Sequence, residues 1–418
     1  MSESIALIKG RVIDPETSFD QVTNVLIEGG KIAEIGSPIK SKVSQDCDII
    51  YCTDKIVCPG FIDVHVHGRT PGQTHKETLG SLALAAIAGG FTTVVCMANT
   101  NPSIDNTESL KANLLEMEQI TFVDMFQVAA VTKQRLGQEL TNFQTLAEQG
   151  AIAFSDDGDG IQDPSMLYLA MLRASQVGRS IFLHCQDKRF EPDDERAEIH
   201  DVSLALRIAE AHDLPVHLQH ISCAASVELI KEAKVRGVKV TCETAPHYIS
   251  LTVRDFRRLG ADAKMNPPLK KESDRRALVA GLKDRTIDLI ATDHAPHTPQ
   301  EKAAKKEEDR PYGVIGLETA VPVAFTSLEH HLDAVKIIEK MTLAPAKLLG
   351  LKEKGRLQPG LPADLVVIDP KVRKVVNPET FYSLGRNCPW TGKRLQGWPV
   401  MTIRNGKIMM RDGEIVLD

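Results

Sequence analysis

Strand-like apolar runs alternate with helical patterns along the middle of the chain. After an opening run that begins at Ile56, seven more follow at residues 91–97, 123–131, 151–155, 180–185, 215–222, 238–243 and 287–292. Helical patterns separate them, for example at 104–118, 164–177, 201–212 and 225–236. Such alternation favours a parallel sheet, and eight units over roughly 300 residues fit a closed (β/α)8 barrel. We therefore predict an α/β fold with a TIM-like barrel, because no run is followed by the G-x-G-x-x-G turn of an open dinucleotide-binding sheet.

Both ends of the chain show a different sequence pattern, in which short β-like runs are separated by residues typical of turns. Glycine-containing turns occur at residues 28–31, 405–406 and 412–413. Turns of this composition are typical of β-hairpins. We expect residues 1–55 and 354–418 to form one small β-rich domain, and residues 56–353 to form the barrel.

The composition excludes several classes of protein. The 418 residues carry a formal net charge of −6, which argues against a nucleic-acid partner. Eight cysteines are scattered without a Cys-x-x-Cys pair, as is typical of reduced proteins of the cytoplasm. The N-terminal residues lack the pattern of a signal peptide, and Gly89-Gly90 interrupt the longest apolar run, 82–98. We therefore expect a cytoplasmic protein that does not associate with a membrane.

The opening run ends in a pair of histidines. In the stretch from Ile56 to Gly72, His65 and His67 are two residues apart, and a loop rich in glycine and proline follows them. On a strand, residues i and i+2 project from the same face, so both imidazoles would point the same way. This is the geometry of two ligands on one metal ion. Two solvated histidines at a strand end are the alternative for the pair taken alone.

Further candidate ligands fall at the carboxyl ends of later runs, the face on which barrel enzymes build their active sites. They are Asp156 and Asp157 after the fourth run, His184 on the fifth, His220 on the sixth and Asp293 after the eighth. Four imidazoles and two carboxylates suffice for a two-metal site in which one carboxylate bridges. Nitrogen and oxygen ligands of this kind favour Zn²⁺, with Mn²⁺ or Co²⁺ as substitutes.

Each of these residues also has a purely structural interpretation. His184 and His220 could be hydrogen-bonded core histidines, and Asp157 could close an Asx turn in the stretch SDDGDG. The metal site therefore depends on the coincidence of candidate ligands across five strands. His217 and His247 lie outside this scheme, and we expect them to be structural.

Several stretches of the chain match a known family together. They are DVHVHGRTPGQTHKET, GGFTTVVCMANTNPSIDN, AFSDDG, HCQD, VTCETAPH, MNPPL, ATDHAPHT and GLETA. In combination they resemble the class I dihydroorotases of the amidohydrolase superfamily. The resemblance extends from about residue 5 to residue 405, with the densest motifs inside the predicted barrel.

The resemblance implies roles for the candidate residues. Two zinc ions per chain are implied, bridged by Asp157 and a hydroxide; His65, His67 and Asp293 hold one ion, and His184 and His220 hold the other. Asp293 is also the implied proton carrier, from the hydroxide to the leaving nitrogen. The implied substrate contacts are Arg69, Asn99 and His297 to a carboxylate and Asn266 to a pyrimidine ring.

The implied activity is dihydroorotase, the reversible interconversion of (S)-dihydroorotate and N-carbamoyl-L-aspartate in pyrimidine biosynthesis. Arg69 suits this small-molecule substrate, because a guanidinium group offers a carboxylate a bidentate fork. Two alternatives remain. Dihydropyrimidinases, hydantoinases and allantoinases usually bridge their metals with a lysine and lack a counterpart of Arg69. A non-catalytic scaffold relative would not need the intact set of ligands.

The chain departs from the family pattern at four positions. Gly68 and Thr70 replace the usual Leu and Glu, Ala98 replaces Pro, and Gln186 replaces Glu. None of these departures removes a proposed ligand. The expected assembly is a homodimer, with aspartate transcarbamoylase as a candidate partner. The charged loop at about 298–316 is predicted to be a mobile cover over the site.

Overall fold

The computed structural model of the protein describes residues 4–36, 38–39 and 46–416. Its strands are, in chain order, β1 (Ser4–Asp14), β2 (Phe19–Glu28), β3 (Lys31–Gly36), β4 (Asp48–Tyr51), β5 (Ile56–Pro59), β6 (Phe61–Val66), β7 (Phe91–Cys96), β8 (Asp124–Gln127), β9 (Ala153–Phe154), β10 (Ser180–Leu183), β11 (Val216–Leu218), β12 (Val240–Thr244), β13 (Leu289–Ile290), β14 (Leu365–Val375), β15 (Arg394–Arg404), β16 (Lys407–Arg411) and β17 (Glu414–Ile415).

Helices connect most of the strands in the middle of the chain. They are α1 (Leu79–Ala88), α2 (Thr107–Glu118), α3 (Phe143–Glu148), α4 (Pro164–Gln176), α5 (Glu195–His212), α6 (Ala224–Val235), α7 (Pro246–Ser250), α8 (Val253–Leu259), α9 (Glu272–Asp284), α10 (Pro299–Lys302), α11 (Ala320–Leu328), α12 (Ala334–Met341) and α13 (Leu343–Leu349). Within the described residues, none of these helices combines the length and the apolar character needed to cross a membrane.

Strands β6 to β13 form the barrel. Strands β6, β7 and β8 pair in parallel, and strands β9 to β13 form a second parallel sheet. Two parallel bridges, Ala129–Phe154 and Val66–His294, join the edges of these sheets, so the strands follow one another around a ring. This arrangement confirms the predicted TIM-like (β/α)8 barrel and brings the carboxyl ends of all eight strands to one face.

Local sequence explains how the chain passes from one strand to the next. Helix α1 begins at a capping box in which Thr78 and Ser81 satisfy each other's backbone N–H groups. It ends at Gly89-Gly90, and the buried strand β7 follows directly. The apolar run 82–98 therefore contains a helix end, a turn and a strand, as its glycines indicate.

The two ends of the chain combine in one nine-stranded sheet. Its order is β17-β16-β15-β14-β5-β1-β2-β3, with β4 beside β1. The predicted turns lie between β2 and β3, between β15 and β16, and between β16 and β17. Its apolar core is separate from the barrel interior and includes Val12, Val25, Val57, Leu365 and Ile403.

The structure assigns two segments differently from the domain boundaries expected from the sequence. Residues 56–59 form β5, which pairs with β1 and β14 in the terminal sheet. The chain then enters the barrel at Gly60, where a Cβ atom would lie only 2.3 Å from Thr92 Oγ1. Residues 376–393 instead reach the barrel: Asn387 Nδ2 donates hydrogen bonds to the carbonyl oxygens of Ala295 (3.1 Å) and Gly313 (3.0 Å). We propose that the barrel domain begins at residue 61 and includes the segment 376–393.

Candidate active site

A cavity of about 260 Å³ lies among the residues that follow the carboxyl ends of the barrel strands. The candidate residues Asp156, His65 and His297 do not line it, whereas the other predicted site residues do: His67, Arg69, Asn99, Asp157, His184, His220, Asn266 and Asp293. Ala98 is buried next to Asn99, and Gly68 and Thr70 are buried in the loop on either side of Arg69. The structure thus brings together side chains that are up to 226 residues apart in the sequence.

A local irregularity in β6 directs the first two histidines into the site. Ile62 and Val64 face the barrel interior, whereas Val66 packs among the surrounding helices. The register of β6 against β7 shifts between Asp63 and Val66, which reverses the alternation of faces. His65 and the neighbouring His67 consequently project together, with ring centroids 5.4 Å apart.

His65 and His67 direct one ring nitrogen each toward the carboxylates of the site. His65 Nε2 lies 3.5 Å from Asp157 Oδ1 and 3.5 Å from Asp293 Oδ1. His67 Nε2 lies 2.9 Å from Asp293 Oδ1 and 3.7 Å from Asp157 Oδ2. The other nitrogen of each ring has its own acceptor: His65 Nδ1 donates to Glu243 Oε1 (2.7 Å) and His67 Nδ1 to Asn99 Oδ1 (2.8 Å). In the neutral form of both imidazoles the lone pair is therefore on Nε2.

A second group forms on the other side of Asp157. His184 Nδ1 lies 3.5 Å from Asp157 Oδ1, and His220 Nε2 lies 3.6 Å from the same oxygen. The two ring nitrogens face each other at 2.7 Å. Asp157 is common to both groups, which is the position of a bridging carboxylate.

The donor atoms of these groups fit divalent metal ions. Within each group of three residues, His65-His67-Asp157 and Asp157-His184-His220, the ligand atoms lie within 4.8 Å of one another. His65 Nε2 is buried and has no hydrogen-bond partner in the described part of the chain, as expected of an atom whose lone pair is reserved for an ion. Imidazole nitrogens combined with carboxylate oxygens form the ligand set that Zn²⁺ accepts readily.

The carboxyl groups of the site are held in the ionised form. Burial opposes the charge on Asp157, but His65, His184 and His220 outweigh burial and hold its pKa well below the usual range. Burial also opposes the charge on Asp293, and again the nearby histidines His65 and His67 lower its pKa. Both side chains are thus available as anionic ligands, and Asp293 is available as a proton acceptor.

Three site residues adopt left-handed backbone conformations that are uncommon for side chains of their type. The φ angles are +57° at Arg69, +36° at His220 and +49° at Asp293. Such conformations persist only where the surrounding structure enforces them, and they cluster at functional sites. Each of these residues lies just after a barrel strand. There the backbone no longer pairs with the neighbouring strand, and the left-handed conformation turns the side chain toward the cavity.

Glu243 is a buried acidic residue beside the candidate ligands that the sequence motifs did not single out. It is fully buried on β12, and its carboxylate accepts from His65 Nδ1 (2.7 Å) and His217 Nε2 (3.1 Å). Burial opposes its charge, yet the two histidines lower the pKa of Glu243 to about 2. His217 is thus structural, as expected, and supports the orientation of His65 through Glu243. The signal in the sequence was an acidic residue inside an otherwise buried strand, which is rarely found without a partner.

Asp156 and Asp63 support the site through the backbone. Asp156 accepts from the N–H groups of Val131 (2.8 Å) and Thr132 (3.1 Å), and it does not face the ligands. Asp63 accepts from the N–H groups of His65 and Thr292, both at 3.1 Å, and so links the first strand of the barrel to the last. His247 is buried, and neither ring nitrogen has a partner among the described residues.

Arg69 and His297 form a pair at one side of the cavity. Arg69 Nε donates to the carbonyl oxygen of Pro296 (3.2 Å), and its Nη2 lies 3.2 Å from His297 Nε2. Burial lowers the pKa of Arg69 to about 10, which leaves the guanidinium charged at neutral pH. Asn99 is held between the ligands, since its Nδ2 donates to Asp157 Oδ2 (3.1 Å). A buried cation beside the ligand groups suits an anionic substrate.

The predicted cover is partly bound to the barrel. Tyr312 and Gly313 line the cavity, and His297 Nε2 lies 2.8 Å from the carbonyl oxygen of Tyr312. Gly313 has a φ of +133°, and a Cβ atom there would lie 2.8 Å from the carbonyl oxygen of Ala295. The end of this loop therefore forms a wall of the site, while its mobility stays a prediction.

Comparison of the sequence with known protein families identifies the class of protein to which this fold and this site belong. Residues 56–409 match the amidohydrolase family. The chain therefore belongs to the amidohydrolase family.

Curated relatives identify the subgroup within this family. The chain is 39% identical to a dihydroorotase of Bacillus cytotoxicus, over 96% of both chains. It is 40% identical to a dihydroorotase of Geobacillus thermodenitrificans, over 94% of this chain and 95% of the relative. These matches confirm the resemblance to the dihydroorotases that the sequence motifs predict.

Solved structures agree with the fold. An L-hydantoinase (dihydropyrimidinase) from Arthrobacter aurescens superposes with a TM-score of 0.88, at 24% identity over 99% of this chain and 97% of the other. A dihydropyrimidinase from Brevibacillus agri gives the same TM-score at 21% identity, over 99% of this chain and 96% of the other. At this level of identity the likeness establishes the fold alone.

Proposed function

We propose that the protein is a two-zinc dihydroorotase that interconverts (S)-dihydroorotate and N-carbamoyl-L-aspartate. The observation that carries the proposal is a buried arginine, Arg69, beside two groups of histidines joined through Asp157. The near-complete overlap with relatives named dihydroorotase supports it.

The ligand residues divide between two ions. His65, His67 and Asp293 would hold one zinc ion, His184 and His220 the other, and Asp157 would bridge them. Bound zinc supplies Lewis acidity, which lowers the pKa of water and polarises a carbonyl oxygen. Glu243 and Asn99 would keep the ligand nitrogens of His65 and His67 deprotonated, because each accepts from the opposite ring nitrogen.

Asp293 would carry the proton. Its carboxylate is ionised and lies at the cavity wall, so it can accept a proton from the attacking water. When the ring amide bond breaks, the leaving nitrogen needs a proton, and the protonated Asp293 can return it. In the cyclising direction the same carboxylate takes the proton from that nitrogen.

The remaining cavity residues would bind and orient the substrate. The Arg69 guanidinium and His297 lie together, and with Asn99 they would hold the carboxylate of the substrate. Asn266 would contact the amide edge of the ring, since it lines the same cavity. These residues act by positioning, while Asp293 takes part in the chemistry.

The hydantoinase alternative fits the site less well. Hydantoinases usually bridge their two metal ions with a lysine, whereas the residue common to both ligand groups here is the aspartate Asp157. Hydantoin and dihydrouracil also lack the carboxylate that a buried arginine would neutralise. The expected homodimer and the expected association with aspartate transcarbamoylase stay predictions.

Substitution of Arg69 tests this proposal. Loss of one partner of a buried charge-assisted contact costs roughly 2–5 kcal/mol, or about 30-fold to several-thousand-fold in kcat/KM. Arg69→Ala should lower kcat/KM for dihydroorotate by this factor, leave bound zinc unchanged, and hardly affect the slow turnover of dihydrouracil. Steady-state kinetics on both substrates, with metal analysis, measure this.

The matched control is Arg135→Ala. Arg135 pairs with Asp159 next to the cavity-lining Gly158 and does not line the cavity itself. The variant Arg135→Ala should therefore have a kcat/KM for dihydroorotate within a few-fold of the wild-type value. An equal loss for both substrates in Arg69→Ala would contradict the role assigned to Arg69.

A further inference from the structure

The side chain of Gln186 lies between a metal ligand and a substrate contact. Its Oε1 is 3.0 Å from His184 Nε2 and 2.8 Å from Asn266 Nδ2. Gln186 follows β10 two residues after His184 and is only partly buried. One amide oxygen therefore faces both neighbours.

The position of His184 determines which of its nitrogens carries the proton. His184 Nδ1 faces Asp157 Oδ1 (3.5 Å) and His220 Nε2 (2.7 Å), so Nδ1 must offer its lone pair to the ion. In a neutral imidazole the proton is then on Nε2. That N–H needs an acceptor, and Gln186 Oε1 is in position to accept it. With its amide turned the other way, Gln186 would direct an N–H donor at another N–H donor.

The same oxygen fixes the amide of Asn266. Because Gln186 presents Oε1, Asn266 must direct Nδ2 toward it as the donor. Asn266 Oδ1 is then on the opposite side of the amide, where it is buried without a hydrogen-bond partner among the described residues. Asn266 lines the cavity, so its unpaired oxygen suits an N–H group of a cyclic amide.

We propose that Gln186 is a positioning residue that sets the protonated nitrogen of His184 and the amide orientation of Asn266 at once. The role rests on the proposed function, because it assigns Asn266 Oδ1 to the ring N–H of the substrate. A neutral amide performs the task with a single oxygen. A carboxylate could accept from the same two donors, so Gln186→Glu should preserve the arrangement that Gln186→Ala destroys.

A zinc titration without substrate tests the first half of the proposal. Metal-free protein is titrated with Zn²⁺ in competition with a chelator of known affinity. Loss of such a supporting contact typically costs 10–100-fold in metal affinity. Gln186→Ala should bind one zinc ion as the wild type does and the second about 10–100-fold more weakly, whereas Gln186→Glu should stay within about threefold of wild type.

Gln162→Ala is the matched control for this titration. Gln162 Nε2 donates to the backbone carbonyl oxygen of Gln186 (3.0 Å), and Gln162 Oε1 accepts from the N–H of Lys188 (2.8 Å). The control thus loosens the same loop and leaves Gln186 Oε1 in place. Wild-type zinc affinity in Gln186→Ala, or an equal loss in Gln162→Ala, would overturn the role of Gln186.

A double-mutant cycle tests the second half. If Gln186 acts through Asn266, the effects of Gln186→Ala and Asn266→Ala on KM for dihydroorotate, at saturating zinc, should not add. Additive effects on KM would overturn the link between the two residues. The zinc titration does not depend on the substrate, so a wrong substrate assignment would leave its result intact and would appear only as absent turnover by the wild type.

Discussion

Glu243 determines how the first histidine of the site presents itself. Its two oxygens accept from His65 and His217. The carboxylate is fully buried, so solvent water does not replace either histidine as its partner. A glutamine at this position would replace one of the two oxygens by an NH2 group, which would direct an N–H donor at the N–H of one of the two histidines.

We therefore expect Glu243→Gln to weaken zinc binding by about 10–100-fold and to lower kcat in proportion at limiting zinc. Competition titration with Zn²⁺ and kinetics at defined zinc concentrations measure both effects. Asp274→Asn is a suitable control, because Asp274 is also a buried carboxylate but accepts from the backbone N–H of Ala224 (2.9 Å) and not from a candidate ligand. Unchanged zinc affinity in Glu243→Gln would contradict the role of this residue.

The residues that could be predicted are those with a local signal. His65 and His67 are two apart at the end of a strand-like run, His184 and His220 lie near the ends of later runs, and Asp293 directly follows one. Glu243 is different, because it is 178 residues from His65 and becomes its partner only when β12 and β6 lie in one barrel. Contacts of this kind depend on the closure of the whole fold.

At the scale of elements, buried lysines bind the loop after β13 to the barrel. Lys302 Nζ donates to the carbonyl oxygens of Ala261 (2.9 Å) and Pro311 (3.0 Å). Lys264 Nζ donates to the carbonyl oxygen of Arg310 (2.7 Å). These contacts anchor the loop next to Tyr312, which lines the cavity.

Lys302→Met should release this loop while filling the same space. Burial lowers the pKa of Lys302 to about 7, and each hydrogen bond of such an amine contributes about 1 kcal/mol, so the loss of both should make cleavage by a glutamate-specific protease at 307–308 about tenfold faster or more. Lys305→Met, at an exposed position of the same loop, should cleave at the wild-type rate. Identical cleavage rates in both variants would contradict the anchoring by Lys302.

The strands predicted from the sequence are longer than those observed. The run 151–155 contains only the two-residue strand β9, and the run 287–292 contains only β13. Burial continues past the last ladder hydrogen bond in both cases, because the next residues turn into the site. Apolar patterns report burial, whereas a strand assignment requires pairing.

At the scale of the whole molecule, a buried acidic residue attaches the segment 376–393 to the barrel. Glu318 accepts from the N–H groups of Tyr382 (3.2 Å) and Ser383 (3.1 Å). Burial raises the pKa of Glu318 to about 8, and the charge of Glu77 acts in the same direction. The folded protein therefore retains a proton on Glu318 at pH values where the unfolded chain has lost it.

This shift predicts a pH-dependent stability. Between pH 4.5 and about 8 the folded state binds more protons than the unfolded state, so this contribution to stability falls as pH rises, by up to about 1.4 kcal/mol per pH unit. Glu318→Gln keeps an acceptor oxygen but cannot ionise. Its Tm relative to wild type should therefore rise steadily from pH 5 to pH 8, and parallel Tm curves would contradict the shift.

The boundary between the two parts of the chain could not be read from local sequence. Strand β5 continues directly toward the first histidines, yet it pairs with β14, more than three hundred residues later in the chain. Both β5 and β6 are fully buried and consist mainly of apolar residues, so their patterns are alike. Only the pairing partners, β14 for β5 and β7 for β6, show that β5 belongs to the terminal sheet and β6 to the barrel.

The central claim is that the site selects a cyclic amide that carries a carboxylate. The most direct measurement compares kcat/KM of the zinc-reconstituted wild type for dihydroorotate and for dihydrouracil. A site built to bind a charged group rejects an analogue that lacks it, so we predict a preference of about a hundredfold or more for dihydroorotate. Equal turnover, or a preference for dihydrouracil, would contradict the dihydroorotase assignment.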